Sequence, residues 1–256
     1  MSRPMCRRFA LSILAAIPLA LSAGHAGAAE IYVVSAAAVE EPFEQLSADF
    51  GRASGHKIHA VFGPVGAMQA KLKGGEKADV IVLSAAAMDA LDKDGSLVAG
   101  SRAELGRATA GVAVRTGAPQ PDISTPDAFK KALLAARTVA YTNPAAGGTA
   151  GIYMTGLLER LGITEEVKKK AVLQSSGSAV ADAVANGAAE IGISFTSELM
   201  PNKAVKVVGP LPQAIGLVVA YAAGVSKTSA QAEPARALIT YMTTPAARDH
   251  FKEAGL

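Results

Sequence analysis

Short β-branched runs alternate along this chain with stretches whose apolar residues recur every three or four positions. Residues 31–34 form such a run and lead into the small residues Ser35-Ala36-Ala37. Val39, Phe43, Leu46 and Phe50 then share one face of a helix that Gly55 ends. Residues 57–62 read as a second strand, followed by the loop Gly63-Pro64-Val65-Gly66 and a helix striped by Val65, Met68 and Leu72. Residues 79–83 are a continuous apolar strand, as expected of a parallel strand covered on both faces, and Ser84 closes it before a helix holding Met88 and Leu91. The pattern is βαβαβα, which predicts an α/β fold with helices on the faces of a parallel sheet.

The same grammar resumes after Arg107. Strands are predicted at residues 111–114, 138–141, 172–174, 191–195, 205–208 and 217–221. Thr125-Pro126-Asp127 starts a helix with a capping hydroxyl, a first-turn proline and a favourable acid. A helix is predicted from about residue 150, and two more close the chain at 234–242 and 245–254.

The first residues follow another pattern. Arg3, Arg7 and Arg8 surround no acid, residues 9–21 are apolar, and small residues lead to Ala26-Gly27-Ala28. That is the form of a cleavable export leader over residues 1–28, and its apolar part is short for a bilayer span. The expectation is a periplasmic protein with no direct membrane insertion after leader removal. Arg7-Arg8-Phe9 is a partial twin-arginine pattern, so Sec and Tat export both stay open. Cys6, the sole cysteine, leaves with the leader, which excludes disulfides, thiol nucleophiles and thiolate metal sites. Lys+Arg falls from 25 to 22 and then equals Asp+Glu at 22, so the basic balance belongs to the leader and predicts no nucleic-acid partner. The remaining length suits two lobes of roughly a hundred residues each.

Ligands of open α/β sheets collect where strand ends face helix starts. Four loops hold that position: Ser35-Ala36-Ala37-Ala38, Gly63-Pro64-Val65-Gly66, the stretch 143–151 with Gly147-Gly148-Thr149-Ala150, and Ser175-Ser176-Gly177-Ser178. Small residues let a ligand reach the backbone, and unpaired amides at a helix start attract an anion. Any one loop is equally an ordinary turn, whereas four in one topological place point to an anion site. Thr149 is expected to cap its helix, and no P-loop lysine accompanies the glycines. Ser84, Phe195 and Arg107 complete the candidate ligand set, the last as a guanidinium able to pair a carboxylate. His56 and His59 would point to opposite faces of a strand, so no metal site is expected, and no cofactor. No catalytic constellation is visible. Glu198, Tyr153 and Ser178 are the candidate bases should the cleft be an active site.

The order of motifs is similar to that of the periplasmic molybdate-binding proteins of ABC importers. The resemblance covers nearly the whole mature chain. Its matching elements are Ile31-Tyr32-Val33-Val34-Ser35-Ala36-Ala37, Ala78-Asp79-Val80-Ile81-Val82-Leu83-Ser84, Ala150-Gly151-Ile152-Tyr153, Leu158-Glu159-Arg160-Leu161-Gly162, Gly192-Ile193 and Pro245-Ala246-Ala247. It implies a two-lobed type II periplasmic binding protein fold, with lobe 1 at 29–110 and 214–256, lobe 2 at 111–213, and a ligand cleft between them. It also implies an inner-membrane ABC permease as partner. In that family serine hydroxyls of the first two loops and a tyrosine of the second lobe hold the oxyanion. The corresponding positions here are Ala38, the loop 63–66 and Phe195, which lack those hydroxyls. The resemblance therefore implies an anion site whose ligand is an organic di- or tricarboxylate rather than molybdate. Aconitate isomerases resemble the same scaffold, which keeps an allylic proton shift on a tricarboxylate as the alternative.

Overall fold

A computed structural model of the chain describes residues 27–256, and the expected leader lies, through residue 26, outside the described residues. The first half follows the predicted alternation. β1 (Glu30–Ala36) passes through a tight turn (Ala37–Val39) into α1 (Glu40–Ser54), β2 (Lys57–Gly63) into α2 (Val65–Lys73), and β3 (Val80–Ser84) into α3 (Ala85–Lys93). All five residues of β3 are buried, as their unbroken apolar run requires when helices cover both faces. Gly55 ends α1 at a φ of 76°, a conformation in which a Cβ would be strained. Phe43, Leu46 and Phe50 of α1 and Met68 of α2 are buried against this sheet.

The second half contains one surprise. Residues 111–114, predicted as a short strand, belong to the 13-residue β4 (Ala103–Arg115). The charged Glu104 and Arg107 interrupt its apolar pattern, and its register shifts between Glu104 and Gly106, so the early part does not read as a strand. Then follow α4 (Pro126–Ala135), β5 (Val139–Thr142), α5 (Thr149–Arg160), α6 (Thr164–Lys168), β6 (Ala171–Gln174), α7 (Gly177–Ala185), β7 (Ile191–Phe195) and α8 (Thr196–Leu199). β8 (Val205–Pro210), β9 (Val218–Val225), α9 (Ala232–Met242) and α10 (Pro245–Glu253) complete the fold. The helix-start signal at Thr125 holds: its side chain accepts from the Ala128 N–H at 3.1 Å, with Pro126 in the first turn.

The strands lie in the order β2-β1-β3-β9-β4-β7-β5-β6, with β8 also on β4. β4 joins the two lobes. Its residues 103–109 pair antiparallel with β9 in one half, and from Ala110 onward it pairs with β7 and β8 in the other. The chain returns through the segment between β8 and β9, and α9 and α10 then pack on α1 of the first half. A two-lobed α/β architecture results, and the strand ends of both lobes face the space between them. No helix among the described residues is long and apolar enough to cross a membrane.

Candidate functional site

The four predicted loops meet. Ala36, Ala37 and Ala38 before α1, Gly63, Pro64 and Val65 at α2, Gly148, Thr149 and Ala150 at α5, and Ser176 and Gly177 at α7 line one cavity. Thr142, Phe195, Glu198 and Tyr221 complete the lining. The cavity measures about 30 Å³, or about 330 Å³ with the open space at its mouth. The two sides touch: the Gly66 N–H donates to the Gly147 carbonyl at 3.1 Å, and a Cβ on Gly66 would sit 3.0 Å from the Gly147 Cα. Both positions need glycine for this approach, and Gly147 also adopts a φ of 73°.

The cavity wall offers donors of two kinds. No side chain caps the turn before α1, α2 or α5, so the first amides there, apart from the Gly66 N–H that goes to Gly147, remain available to an anion. Thr149 is not the cap that its sequence position suggests. Gly148 holds the cap position and Thr149 is the first helical residue, which leaves its hydroxyl to the cavity lining. Among the described residues the hydroxyls of Thr142, Thr149 and Tyr221 have no hydrogen-bond partner, and all three residues line the cavity. Tyr221 is nearly enclosed, its ring edge-on to Phe195 with centroids 6.2 Å apart. Burial, then the neighbouring Glu198, hold the phenol above its ordinary range, so it stays a donor.

Glu198 is the acid of the wall. It lies deep among protein atoms but retains some accessible surface, and it lines both this cavity and an adjoining pocket. Ser194 Oγ donates to its Oε2 at 2.7 Å, and the nearby Gly177 and Phe195 amides also favour its ionised form. Gly177 has no room for a side chain, because a Cβ would fall 2.0 Å from Oε2. The start of α7, which the sequence offers to a ligand, is thus occupied from within: the Ser176 hydroxyl accepts from the Ala179 N–H at 3.2 Å, and Gly177 lies against an internal carboxyl. Burial raises the Glu198 pKa and Glu40 adds to the rise, against the lowering effect of the Ser194 hydroxyl and the Gly177 and Phe195 amides. No lysine, arginine or histidine lines the cavity.

The profile of the bacterial extracellular solute-binding proteins matches residues 31–256. The chain belongs to this family. An aconitate isomerase of a Pseudomonas species is 30% identical over 230 residues, 88% of this chain and 86% of that protein. The molybdate-binding protein ModA of Azotobacter vinelandii is 30% identical over 194 residues, 75% of each chain. A solved periplasmic molybdate-binding protein of the same organism superposes with a TM-score of 0.69 at 24% identity, covering 88% of this chain and 97% of that one. The sulfate-binding protein SubI of Mycobacterium tuberculosis gives 0.70 at 19% identity, over 89% and 86%. These structural likenesses carry the two-lobed periplasmic binding protein fold.

Within this solute-binding protein, several residues singled out from sequence lie off the cavity wall. Arg107 projects to solvent from the partly exposed stretch of β4 and pairs with Glu104 at 3.1 Å, so it is not part of the wall. Ser35 is fully buried and its Oγ donates to the Ala36 carbonyl at 3.2 Å. Ser84 ends β3 opposite Tyr221 of β9. Ser178 shares a hydrogen bond with Ser176 at 2.9 Å and lines the adjoining pocket instead. Tyr153 donates to the Ile215 carbonyl at 2.9 Å, tying α5 to the segment between β8 and β9. Thr142 and Tyr221 were not legible as wall residues, since each is a strand residue whose facing depends on its neighbours in the sheet.

Proposed function

We propose that this solute-binding protein works in the periplasm, where it closes over a small organic anion, a di- or tricarboxylate, and delivers it to an ABC-type inner-membrane permease. The observation that carries the reading is the convergence of four small-residue helix starts, three of them without a side-chain cap, on one cavity that Tyr221 also lines. Loops 36–38 and 63–65 bring no serine to that wall, so a tetrahedral oxyanion would find few side-chain donors on the first lobe. Planar carboxylates suit backbone amides on one side and the hydroxyls of Thr142, Thr149 and Tyr221 on the other. The relatives named for molybdate and sulfate support an anion, and the one named for aconitate supports a carboxylate.

In this reading lobe 1 comprises 29–110 with 214–256 and lobe 2 comprises 111–213. The change of partners in β4 between Thr109 and Ala110 and the segment 209–215 act as the hinge. The lobes part at the Gly66–Gly147 contact to admit the anion into the space of about 30 Å³ and its open mouth, and they close on it again at that contact. A thermal-shift panel of molybdate, tungstate, sulfate, phosphate, citrate and both aconitate isomers tests the reading. A bound anion at a hundred times its Kd adds about 2.7 kcal/mol of stability. Stabilisation by carboxylates supports the proposal, and stabilisation by molybdate or tungstate alone overturns it.

One observation favours a second reading, an isomerase that shifts a proton along an allylic tricarboxylate. Glu198 and Tyr221 are two ionisable groups on one enclosed wall, and a carboxyl of raised pKa is suited to take and return a proton. Absorbance of cis- and trans-aconitate followed over time separates the readings: interconversion makes the protein an enzyme, and unchanged spectra beside measurable binding make it a receptor.

A further inference from the structure

Glu198 poses a problem for any anion that enters the cavity. The wall has no cation to offset the ligand's charge, and it has this carboxyl. Its surroundings are acidic as well. Glu40 approaches from α1, half-buried, with Glu41 and Glu44 on the same helix lining the adjoining pocket. Asp182 of α7 lines that pocket too and accepts from the Asn202 amide at 2.9 Å. From β9 comes only the phenol of Tyr221, while β7 and the turn 37–39 carry no titratable side chain. The cations on the other strands packed around α8 are Arg107 and Arg115 of β4 and Lys206 of β8, all exposed and absent from both pockets. Lys203, beyond α8, donates to the Met200 carbonyl. A carboxylate ligand beside an ionised Glu198 would thus bring two like charges together in a confined space, which strongly favours protonation of one of them.

We propose that the cavity binds its carboxylate together with a proton, and that Glu198 carries that proton and serves as a neutral hydrogen-bond donor to the ligand. The inference rests on the carboxylate reading above and specifies the chemistry of that same site. The balance is simple: ionised Glu198, a carboxylate ligand and one proton from solvent give the carboxylic acid form of Glu198 beside the ligand. One O–H bond forms, and the buffer acid gives up the proton. A route for it exists. Glu198 and Ala37 line both the central cavity and the adjoining pocket of about 390 Å³, so this residue borders open space on a second side. Linkage sets the direction of the pH effect. Affinity is greatest while Glu198 is already protonated in the free protein and falls, by up to tenfold per pH unit, as rising pH ionises it.

The test is titration calorimetry of the mature protein with trans-aconitate, which is fully ionised near neutrality, from pH 6 to 9 in HEPES, imidazole and Tris. The slope of binding enthalpy against buffer ionisation enthalpy counts protons, and it is expected to approach one at the alkaline end as affinity declines. Glu198→Gln should hold a single affinity across the range with no proton uptake, since an amide donates as the neutral acid does. Glu40→Gln, which leaves Glu198 in place, should shift the parent's profile to lower pH. Binding by the parent with no proton uptake and a flat profile overturns the proposal and leaves the carboxylate reading standing. So does a Glu198→Gln protein that melts normally but keeps the parent's pH dependence or no longer binds. Absence of binding by trans-aconitate, citrate and cis-aconitate alike overturns the carboxylate reading itself, and this inference with it.

Discussion

Gly66→Val should leave the fold intact and weaken anion binding by roughly two- to a hundredfold. Gly66 lies in the first turn of α2, where valine is no worse than glycine for the helix, so the open protein loses nothing. The closed protein does. A Cβ at this position meets the Gly147 Cα at 3.0 Å and its carbonyl oxygen at 3.2 Å, both backbone atoms that cannot turn aside. Valine adds two further methyl groups beyond that point. Overpacking of this kind costs about 1–3 kcal/mol. If the lobes part to relieve it, the hydrogen bond from the Gly66 N–H to Gly147 is lost, at about 0.5–1.5 kcal/mol net. Either way the loss is about 0.5–3 kcal/mol, and each 1.4 kcal/mol is tenfold in Kd. Gly66→Ala, with the Cβ alone, should fall between parent and valine. Calorimetric titration with the anion that stabilises the parent, beside thermal melts without it, separates closure from folding. Parent-like affinity in a normally melting Gly66→Val protein would refute the claim that this contact forms when the lobes close.

Three other variants probe the wall. Tyr221→Phe should melt like the parent, because its hydroxyl has no partner among the described residues, yet bind about ten- to a hundredfold more weakly through loss of a bond to a charged group; equal affinities by titration would remove Tyr221 from the site. Gly151→Ala drives a Cβ to 2.1 Å from the Thr142 carbonyl oxygen and should push the start of α5 off β5, at roughly 1–3 kcal/mol and about 2–12 °C in Tm. An unchanged melt would show that this packing is looser than described. Burial raises the Glu198 pKa in the folded protein, so its contribution to stability is present in full below the unfolded value near 4.5 and is lost as pH rises through the folded value. Half-buried Glu40 acts in the same direction. Melts across this range should therefore decline less with pH in Glu198→Gln than in the parent, and parallel curves would contradict the burial.

What the sequence made legible was local. β7 spans the residues its apolar run predicts, and the four small-residue loops before helices could be named as one converging set because that placement follows from α/β connectivity. Features that depend on distant partners were not legible. β4 is a single strand shared by both lobes, which Glu104, Arg107 and a register shift conceal. Tyr221 reaches the cavity because β9 inserts between β3 and β4, a pairing no local pattern encodes. Glu198 reads as an acid favouring a helix start, whereas its depth depends on Gly177 of another helix having no side chain. Thr149 fits a cap as well as it fits the first helical position, and only the backbone geometry at Gly148 distinguishes the two. Arg107 was attractive for its charge near the crossover, but it turns outward to Glu104.

The central claim is that the four helix starts form the anion site. A crystal structure of the mature protein grown with trans-aconitate addresses it most directly. The account predicts ligand density in the space bounded by Ala37, Val65, Thr149 and Gly177, with carboxylate oxygens within hydrogen-bond distance of backbone amides and of the Tyr221 hydroxyl. Density instead in the large groove between α4 and the loop at Gln120, with the four-loop cavity empty and closed, would contradict it.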